Sequence, residues 1–153
     1  MNKKLISLNI KEIAWLSAGA IFFIGDRLLK SLAIKQPNDN YQIIGDIFTF
    51  HFIPNFNIAF SLPFSGPWLT AAISLIIVVI IIYLFSSKLK TFDKIAFFLI
   101  LLGAISNLLD RMRYGFVIDY LNLQWFTVFN LADFLISLGT AILIFRVFKK
   151  SHD

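Results

Sequence analysis

The clearest pattern in the sequence is a set of long apolar blocks separated by shorter polar connections. The strongest block, Pro67 to Phe85, contains no charged residue, and its only clearly polar side chains are Thr70 and Ser74. As a helix this block spans about 28 Å, close to the roughly 30 Å of hydrocarbon in a bilayer. Three further blocks have a similar length, although each carries polar residues. The predicted helices cover residues 13–34, 67–86, 94–112 and 130–148.

Two connections between these helices are too long to be tight turns, and both contain strand-like patterns. In residues 36–66, Phe48, Phe50 and Phe52 alternate with Thr49 and His51, which is typical of a strand with one apolar face. Residues 114–129 are rich in β-branched and aromatic residues, which also favours strands. The predicted fold is mainly α and membrane-integral. It is one domain over residues 1–153, with four transmembrane helices and a small outward-facing β/loop region at the membrane surface.

The composition supports an integral membrane protein. Of 153 residues, 58% are hydrophobic, 18 are Phe and only 15% are charged. A soluble domain of this length could not bury so much apolar surface in one core. The N-terminus resembles a secretory signal, but its small residues are followed by the apolar stretch Ile21 to Ile24 rather than by a polar segment. We therefore expect a retained first helix.

Basic residues are unevenly distributed between the two sides of the predicted membrane domain. Nine lie on the side that holds both termini, and five lie on the other side. Because Lys and Arg concentrate on the cytoplasmic side, both termini are predicted to be cytoplasmic and the two long connections to face outward. We interpret the net charge of +5 as topology signals and contacts with anionic membrane lipid, not as a nucleic-acid surface. The nine are Lys3, Lys4, Lys11, Lys88, Lys90, Lys94, Arg146, Lys149 and Lys150.

The sequence offers few metal ligands. It contains no cysteine, which excludes disulfides and thiolate metal sites, and its two histidines are His51 and His152. A divalent-cation site made from Asp side chains remains an alternative, but the carboxylates are few and scattered. We expect no metal and no cofactor.

Asp26 lies inside the first predicted helix, two turns before its end. An ion pair or hydrogen bond with Arg27 or Lys30 would explain it structurally, because charged side chains near the end of a spanning helix reach toward the membrane surface. Support of a functional site is the second interpretation, and both stay open.

The segment SNLLDR closes the third predicted helix and carries Asn107, Asp110 and Arg111. Their spacing of three and four residues places all three on one face of the helix. They could form a structural network at the helix end or orient another group, and the two interpretations are compatible.

Asn130 and Asp133 stand at the start of the fourth predicted helix. Asn is a favoured N-cap, and an acidic residue three positions later resembles a capping box, so a structural explanation is available. Asp119 has no such explanation, because it lies in the apolar, strand-like stretch FVIDYLN. Asp119 and Asp133 are on the same predicted side of the membrane and can converge at its surface.

Two carboxylates in a place of low dielectric constant tend to share one proton. The charged carboxylate can then activate water, while the protonated one polarises a carbonyl group and later protonates the leaving amine. This is the chemistry of aspartic proteases, although two Asp residues by their spacing alone are a weak signal for it.

Four blocks of the sequence, taken in order, resemble the lipoprotein signal peptidases, the signal peptidase II family of bacterial inner membranes. The resemblance extends over nearly the full length and includes the helix number. The blocks are GDRLLK with Asp26; NFNIAFS with Asn55, Ala59 and Phe60; GAISNLLDR with Gly103, Asn107, Asp110 and Arg111; and VIDY with FNLAD, which contain Val117, Asp119, Asn130, Ala132 and Asp133.

The resemblance implies that Asp119 and Asp133 form a catalytic dyad. It also implies that the substrate is a diacylglyceryl-modified prolipoprotein, cleaved just before the lipidated cysteine, and that the cyclic peptide globomycin inhibits the reaction. The expected location is the bacterial inner membrane, with the active site near the periplasmic face, and we expect a monomer. The residues implied to bind substrate or support the dyad are Asp26, Asn55, Asn107, Asp110, Arg111 and Asn130.

The sequence departs from the family pattern at two positions. Asn57 stands where the family usually has Gly, and we expect it to keep the turn because Asn tolerates positive φ. Ser106 also replaces a usual Gly, and we expect its small side chain to preserve close packing. Both departures concern the shape of the pocket and not the dyad.

Two other functional classes have to be compared with this sequence. A non-enzymatic transport or assembly subunit with structural buried charges is the main alternative, but the sequence shows no internal repeat or helix broken near the midplane. A serine protease or a zinc protease is not supported, because the sequence contains neither the serine-nucleophile motif G-x-S-x-G nor the zinc-binding motif H-E-x-x-H.

Overall fold

The computed structural model describes residues 10–57, 66–86 and 89–150. Four helices and four strands follow one another in this part of the chain. They are α1 (Ile10–Lys35), β1 (Asn40–Ile44), β2 (Phe48–Asn55), α2 (Pro67–Ser86), α3 (Thr91–Tyr114), β3 (Val117–Leu123), β4 (Thr127–Phe129) and α4 (Leu131–Lys150). Several residues named in the sequence analysis lie outside the described residues, namely Lys3, Lys4, Ala59, Phe60, Lys88 and His152.

Three of the four described helices are long and apolar enough to cross a membrane. They are α2, α3 and α4, with spans at Pro67–Phe85, Thr91–Tyr114 and Leu131–Lys149. The remaining predicted span, residues 13–34, corresponds to α1, which has 26 residues and is long enough to cross a bilayer. Asp26, Arg27 and Lys30 occur within it, and α1 is not among the described helices that are apolar enough to cross a membrane by composition.

Local sequence determines where the helices begin and end. Pro67 opens α2, where its missing N–H costs nothing because the first N–H groups of a helix have no partner within it. At the end of α3, Gly115 adopts a left-handed conformation with φ 81° and donates its N–H to the carbonyl oxygen of Arg111. This cap turns the chain sharply from α3 into β3.

The strands form one antiparallel sheet in the order β1-β2-β3-β4, so the predicted β region is present. Strand β2 pairs with β3 through Ile53 opposite Asp119 and Asn55 opposite Val117. An apolar cluster that includes Phe50, Tyr120 and Ala33 holds the sheet against α1. The sheet therefore presents Asp119 next to the ends of the helices.

Glycine residues allow α3 and α4 to lie close together. A Cβ atom at Gly103 would collide with the carbonyl oxygen of Ala132, and one at Gly139 would collide with the carbonyl oxygen of Ala96. Only glycine fits at these two crossing points. The close approach brings the end of α3, which carries Asn107, beside the start of α4, which carries Asp133.

Candidate active site

The start of α4 holds Asp133 in a complete capping box. The Oδ1 atom of Asn130 accepts a hydrogen bond of 2.9 Å from the backbone N–H of Asp133. The Oδ2 atom of Asp133 in turn accepts one of 3.2 Å from the backbone N–H of Asn130. The capping that the sequence predicts is therefore present, and it fixes the direction in which the Asp133 carboxylate points.

Asp119 is placed by the sheet and is almost completely buried, with 1% of its surface exposed. Its Oδ2 atom accepts a hydrogen bond of 2.8 Å from Nδ2 of Asn55 on β2. Its Oδ1 atom accepts a hydrogen bond of 2.6 Å from Nδ2 of Asn130. Two amide side chains thus hold a carboxylate in a place where water cannot solvate it.

Asn130 joins the two carboxylates, because its Oδ1 atom caps Asp133 while its Nδ2 atom reaches Asp119. Asn107 completes the arrangement with a hydrogen bond of 2.8 Å from its Nδ2 atom to Oδ1 of Asp133. Each of the four carboxylate oxygens of Asp119 and Asp133 therefore accepts a hydrogen bond from an N–H group. The structure brings Asp119 and Asp133 together around Asn130, and we call these two residues the carboxylate pair.

Burial raises the pKa of Asp119 to about 7, and the nearby charge of Asp133 acts in the same direction. Hydrogen bonds from Asn55 and Asn130 and the positive charge of Lys30 act against this rise. A carboxyl group with this pKa can hold a proton near neutral pH and can also release it. The pair thus offers a proton donor in the setting where acid–base catalysis needs one.

A second group of charged side chains lies beside the pair, and we call Asp26, Arg27, Lys30 and Asp110 the ion-pair cluster. Lys30 contacts Asp26 at 3.1 Å and Asp110 at 2.8 Å, and all three side chains are fully buried. Arg27 pairs with Asp110. The structural partner predicted for Asp26 is thus Lys30, while Arg27 contacts the other carboxylate.

Asp26 also contacts the start of α4. Its Oδ1 atom accepts hydrogen bonds from the hydroxyl of Tyr120 at 2.9 Å and from the backbone N–H of Ala132 at 3.2 Å. Asp110 accepts a hydrogen bond of 3.3 Å from the backbone N–H of Ile118, next to Asp119. Asp26 and Asp110 therefore both form ion pairs within the cluster and accept hydrogen bonds from backbone N–H groups next to the carboxylate pair. The structural interpretation and the supporting interpretation of these two residues are compatible.

Arg111 lies one turn after Asn107 on α3 and reaches the segment after β2. Its guanidinium donates a hydrogen bond of 3.1 Å to the carbonyl oxygen of Asn57. The side chain also lines a cavity of about 530 Å³ between α2 and α3, together with Thr70 and Ser74. Arg111 thus borders open space, whereas Asp26 and Asp110 are fully buried.

The two departures from the family pattern have contacts that the sequence did not reveal. The expected positive φ at Asn57 is wrong, because Trp125 is the only non-glycine residue with positive φ in the described part of the chain. Asn57 instead donates its backbone N–H to Oδ1 of Asn55 at 3.0 Å, which closes the turn through a side chain. Ser106 is fully buried, and its hydroxyl donates a hydrogen bond of 2.6 Å to Oδ2 of Asp26.

Three residues of the site were not singled out as functional candidates in the sequence. Tyr120 and Ser106 contact Asp26, and Lys30 contacts both carboxylates of the cluster and Asn107. Lys30 had a signal, since it lies four residues after Asp26 in an apolar block, at the spacing of an ion pair on one helix face. Ser106 had a signal as well, since it stands where the family usually has Gly, whereas nothing local separates Tyr120 from an ordinary core residue. In the described residues, no group of three or more His, Cys, Asp or Glu side chains is placed to hold a metal ion.

Residues 18–149 match the model of the protein family described as signal peptidase (SPase) II. A lipoprotein signal peptidase of Trichormus variabilis is 34% identical over 151 residues, which cover 93% of each chain. One from Clostridioides difficile is 35% identical over 140 residues, covering 87% of this chain and 95% of the relative. A solved bacterial membrane enzyme has a similar fold, with a TM-score of 0.76 at 22% identity over 92% of this chain and 89% of that one. A second solved enzyme of this description has a TM-score of 0.70 at 22% identity over 90% of this chain and 92% of that one.

Proposed function

Because this chain belongs to the signal peptidase II family, we propose that it works as an aspartic endopeptidase with Asp119 and Asp133 as its catalytic pair. The proposed substrate is a diacylglyceryl-modified bacterial prolipoprotein, cut just before the lipidated cysteine. The observation that carries the catalytic assignment is the bridge of Asn130, which holds Asp119 and Asp133 in one hydrogen-bonded unit. The alternative of a non-enzymatic membrane subunit is not favoured, because the chain matches a peptidase family over most of its length.

The surroundings of the two carboxylates favour different roles in the reaction. Asp119 is buried with a pKa of about 7, so it is suited to carry the proton in the resting enzyme. Asp133 is half-buried in the first turn of α4, where the helix dipole favours a negative charge. Asp133 is therefore suited to be the ionised carboxylate that activates water.

The reaction then follows from these two states. Asp133 takes a proton from the attacking water, whose oxygen forms the new bond to the scissile carbonyl carbon. Asp119 gives its proton to the carbonyl oxygen, which becomes a hydroxyl group of the tetrahedral intermediate. When this intermediate collapses, the hydroxyl proton returns to Asp119, and Asp133 protonates the leaving amine as the C–N bond breaks. Both carboxyl groups end in their starting states.

The charges around the pair support one shared proton. The four buried or half-buried carboxylates Asp26, Asp110, Asp119 and Asp133 face the three cations Arg27, Lys30 and Arg111. With every group ionised, this set would carry one excess negative charge. A single proton on the carboxylate pair makes the set neutral, which is the favoured condition in a place of low dielectric constant.

We place the site at the outward, periplasmic face of the inner membrane, with both termini cytoplasmic. In this arrangement α1 is the fourth spanning helix. Its charged residues Asp26, Arg27 and Lys30 form a neutral cluster with Asp110 of α3, and this cluster lies at the end of α1 next to the sheet. We propose that the active unit is a monomer, because each oxygen of the carboxylate pair already has a hydrogen-bond donor from its own chain. Asn55, Asn107 and Asn130 hold the pair, Asp26 and Asp110 hold its backbone, and Arg111 is the supporting residue available to contact substrate.

Cleavage of a purified diacylglyceryl-modified prolipoprotein, followed by gel shift and mass spectrometry, tests this function. The protein is expected to release the signal peptide and leave the lipidated cysteine as the new N-terminus, and globomycin is expected to stop the reaction. Asp119→Asn should remove cleavage. Asp46→Asn is a matched control, because Asp46 is an exposed carboxylate of the outward region, and this variant should cleave normally. Absence of cleavage by the folded unmodified protein would contradict the proposed function.

A further inference from the structure

Lys30 is a buried cation that takes no step in the proposed reaction. Its side chain has no exposed surface. It contacts three acceptors, namely Oδ2 of Asp26 at 3.1 Å, Oδ2 of Asp110 at 2.8 Å and Oδ1 of Asn107 at 2.8 Å. An ammonium group has three N–H donors and no acceptor, so these contacts use all of its donors. Two of them neutralise its charge, and the third falls on a neutral amide that contacts the carboxylate pair.

The contact with Lys30 determines how the Asn107 amide is oriented. The Oδ1 atom of Asn107 faces the ammonium group, and its Nδ2 atom faces the carboxylate of Asp133. In the reversed orientation, an NH₂ group would face a cation that only donates, and an oxygen would face a carboxylate that only accepts. Both hydrogen bonds would be lost in a buried place, where each unpaired polar group is costly. Lys30 therefore leaves Asn107 one favourable orientation.

The Asn107 amide contacts Asp133 directly and is linked to Asp119 through Asn130. Asn107 donates to Oδ1 of Asp133 at 2.8 Å, and its own oxygen accepts from Nδ2 of Asn130 at 3.3 Å. The same Nδ2 atom of Asn130 donates to Asp119. We propose that Lys30 is a positioning residue for catalysis, which acts through Asn107 to hold the hydrogen bonds that join Asp133, Asn130 and Asp119. This inference rests on the proposed function of the pair.

A purely structural role is the alternative, because the ion-pair cluster also ties α1 to α3. Arg27 provides the comparison that separates the two roles. It is a second cation of the same cluster and it pairs with Asp110, but its other hydrogen bonds go to Ser106 and not to Asn107. Asp110 contacts both cations, so removal of either cation together with Asp26 leaves Asp110 paired with the other cation. The two resulting double variants have equal net charge and differ in the contact with Asn107.

The experiment compares Lys30→Met/Asp26→Asn with Arg27→Met/Asp26→Asn in the cleavage assay. Met keeps the length of the removed side chain without its charge, and paired removal avoids an uncompensated buried carboxylate. Thermal unfolding in detergent gives Tm, and initial rates over a range of substrate concentrations give kcat and KM. We expect similar Tm values and similar KM, but a kcat roughly 10-fold to 100-fold lower for the Lys30 variant, because small misplacement of reacting groups costs about this much.

Equal kcat values for the two double variants would overturn the proposal, and so would a loss of kcat that follows the loss of Tm. A second pair, with Leu in place of Met at positions 30 and 27, repeats the comparison if the first pair does not fold. Failure of both Lys30 variants to fold, while both Arg27 variants fold, would assign Lys30 a structural role and also overturn it. The unmodified protein in the same assay separates the two hypotheses, since its inactivity would contradict the proposed function and not the role of Lys30 alone.

Discussion

Asn130 has two separable tasks, and substitution by Ser or Ala distinguishes them. Its Oδ1 atom caps α4, and its Nδ2 atom donates to the buried Asp119. Ser is a good N-cap but has no amide donor, so Asn130→Ser keeps the first task and removes the second. Asn130→Ala removes both.

The expected magnitudes follow from these contacts. Loss of the amide donor deprives Oδ1 of Asp119 and the carbonyl oxygen of Ile118 of a buried partner, which costs about 1–3 kcal/mol of unfolding free energy. Loss of the cap costs about a further 1 kcal/mol. Asn130→Ser is therefore expected to unfold at a lower denaturant concentration than the unmodified protein, and Asn130→Ala at a lower one still.

The pH dependence of cleavage gives a more specific readout for the same variants. The hydrogen bond from Asn130 favours the ionised form of Asp119 and so lowers its pKa. Without this bond the pKa rises above its value of about 7. Because Asp119 must be protonated in the proposed reaction, the alkaline limb of the kcat profile should move to higher pH in Asn130→Ser, while the maximal rate falls.

Initial rates between pH 4 and pH 10, measured on a lipidated substrate, would show this shift. Asp46→Asn serves as the control, and its profile should match that of the unmodified protein. An alkaline limb that stays in place or moves to lower pH in Asn130→Ser would refute the assignment of the proton to Asp119. Equal stability of the Ser and Ala variants would refute the capping role.

Three further predictions concern other parts of the molecule. In the unmodified protein, kcat should decrease as pH rises through about 7, where Asp119 loses its proton, and a chelator should leave the rate unchanged. Arg111→Ala should lower activity while Tm stays nearly constant, because Arg111 contacts Asn57 and lines the cavity and does not contact the ion-pair cluster. Losses of activity and Tm in proportion would indicate a structural role for Arg111. Gly103→Ala should lower Tm, because the added Cβ atom would force α3 away from α4. Gly25→Ala is the control and should leave Tm unchanged or slightly higher, because its added Cβ atom would meet its nearest neighbour at 3.7 Å. Similar Tm values for the two variants would contradict the close packing of α3 against α4.

The helices were predictable from the sequence because their apolar blocks match the thickness of a bilayer and their ends carry local signals. The predicted bounds differ from the observed ones by up to three residues, as in α3, which begins at Thr91 rather than at residue 94. The cap formed by Asn130 and Asp133 was predictable for the same reason, since both of its residues lie within one turn.

The contacts between distant segments were not predictable in this way. Lys30 and Asn107 are 77 positions apart, and Ser106 and Asp26 are 80 positions apart. These contacts depend on how α1 packs against α3, which no local pattern specifies. The turn at Asn57 is present, but the expected positive φ was wrong for a related reason, because the side chain of Asn55 closes the turn and the backbone needs no positive φ.

The most direct test of the carboxylate pair compares kcat/KM for Asp119→Asn, Asp133→Asn and the double variant. Each single substitution keeps the shape of the side chain and removes its ability to cycle a proton. If the two carboxylates act as one unit, each single variant should lose at least about 10⁴-fold and the double variant should be barely worse. Substantial cleavage by a folded single variant, or independent losses that multiply in the double variant, would contradict a shared catalytic pair.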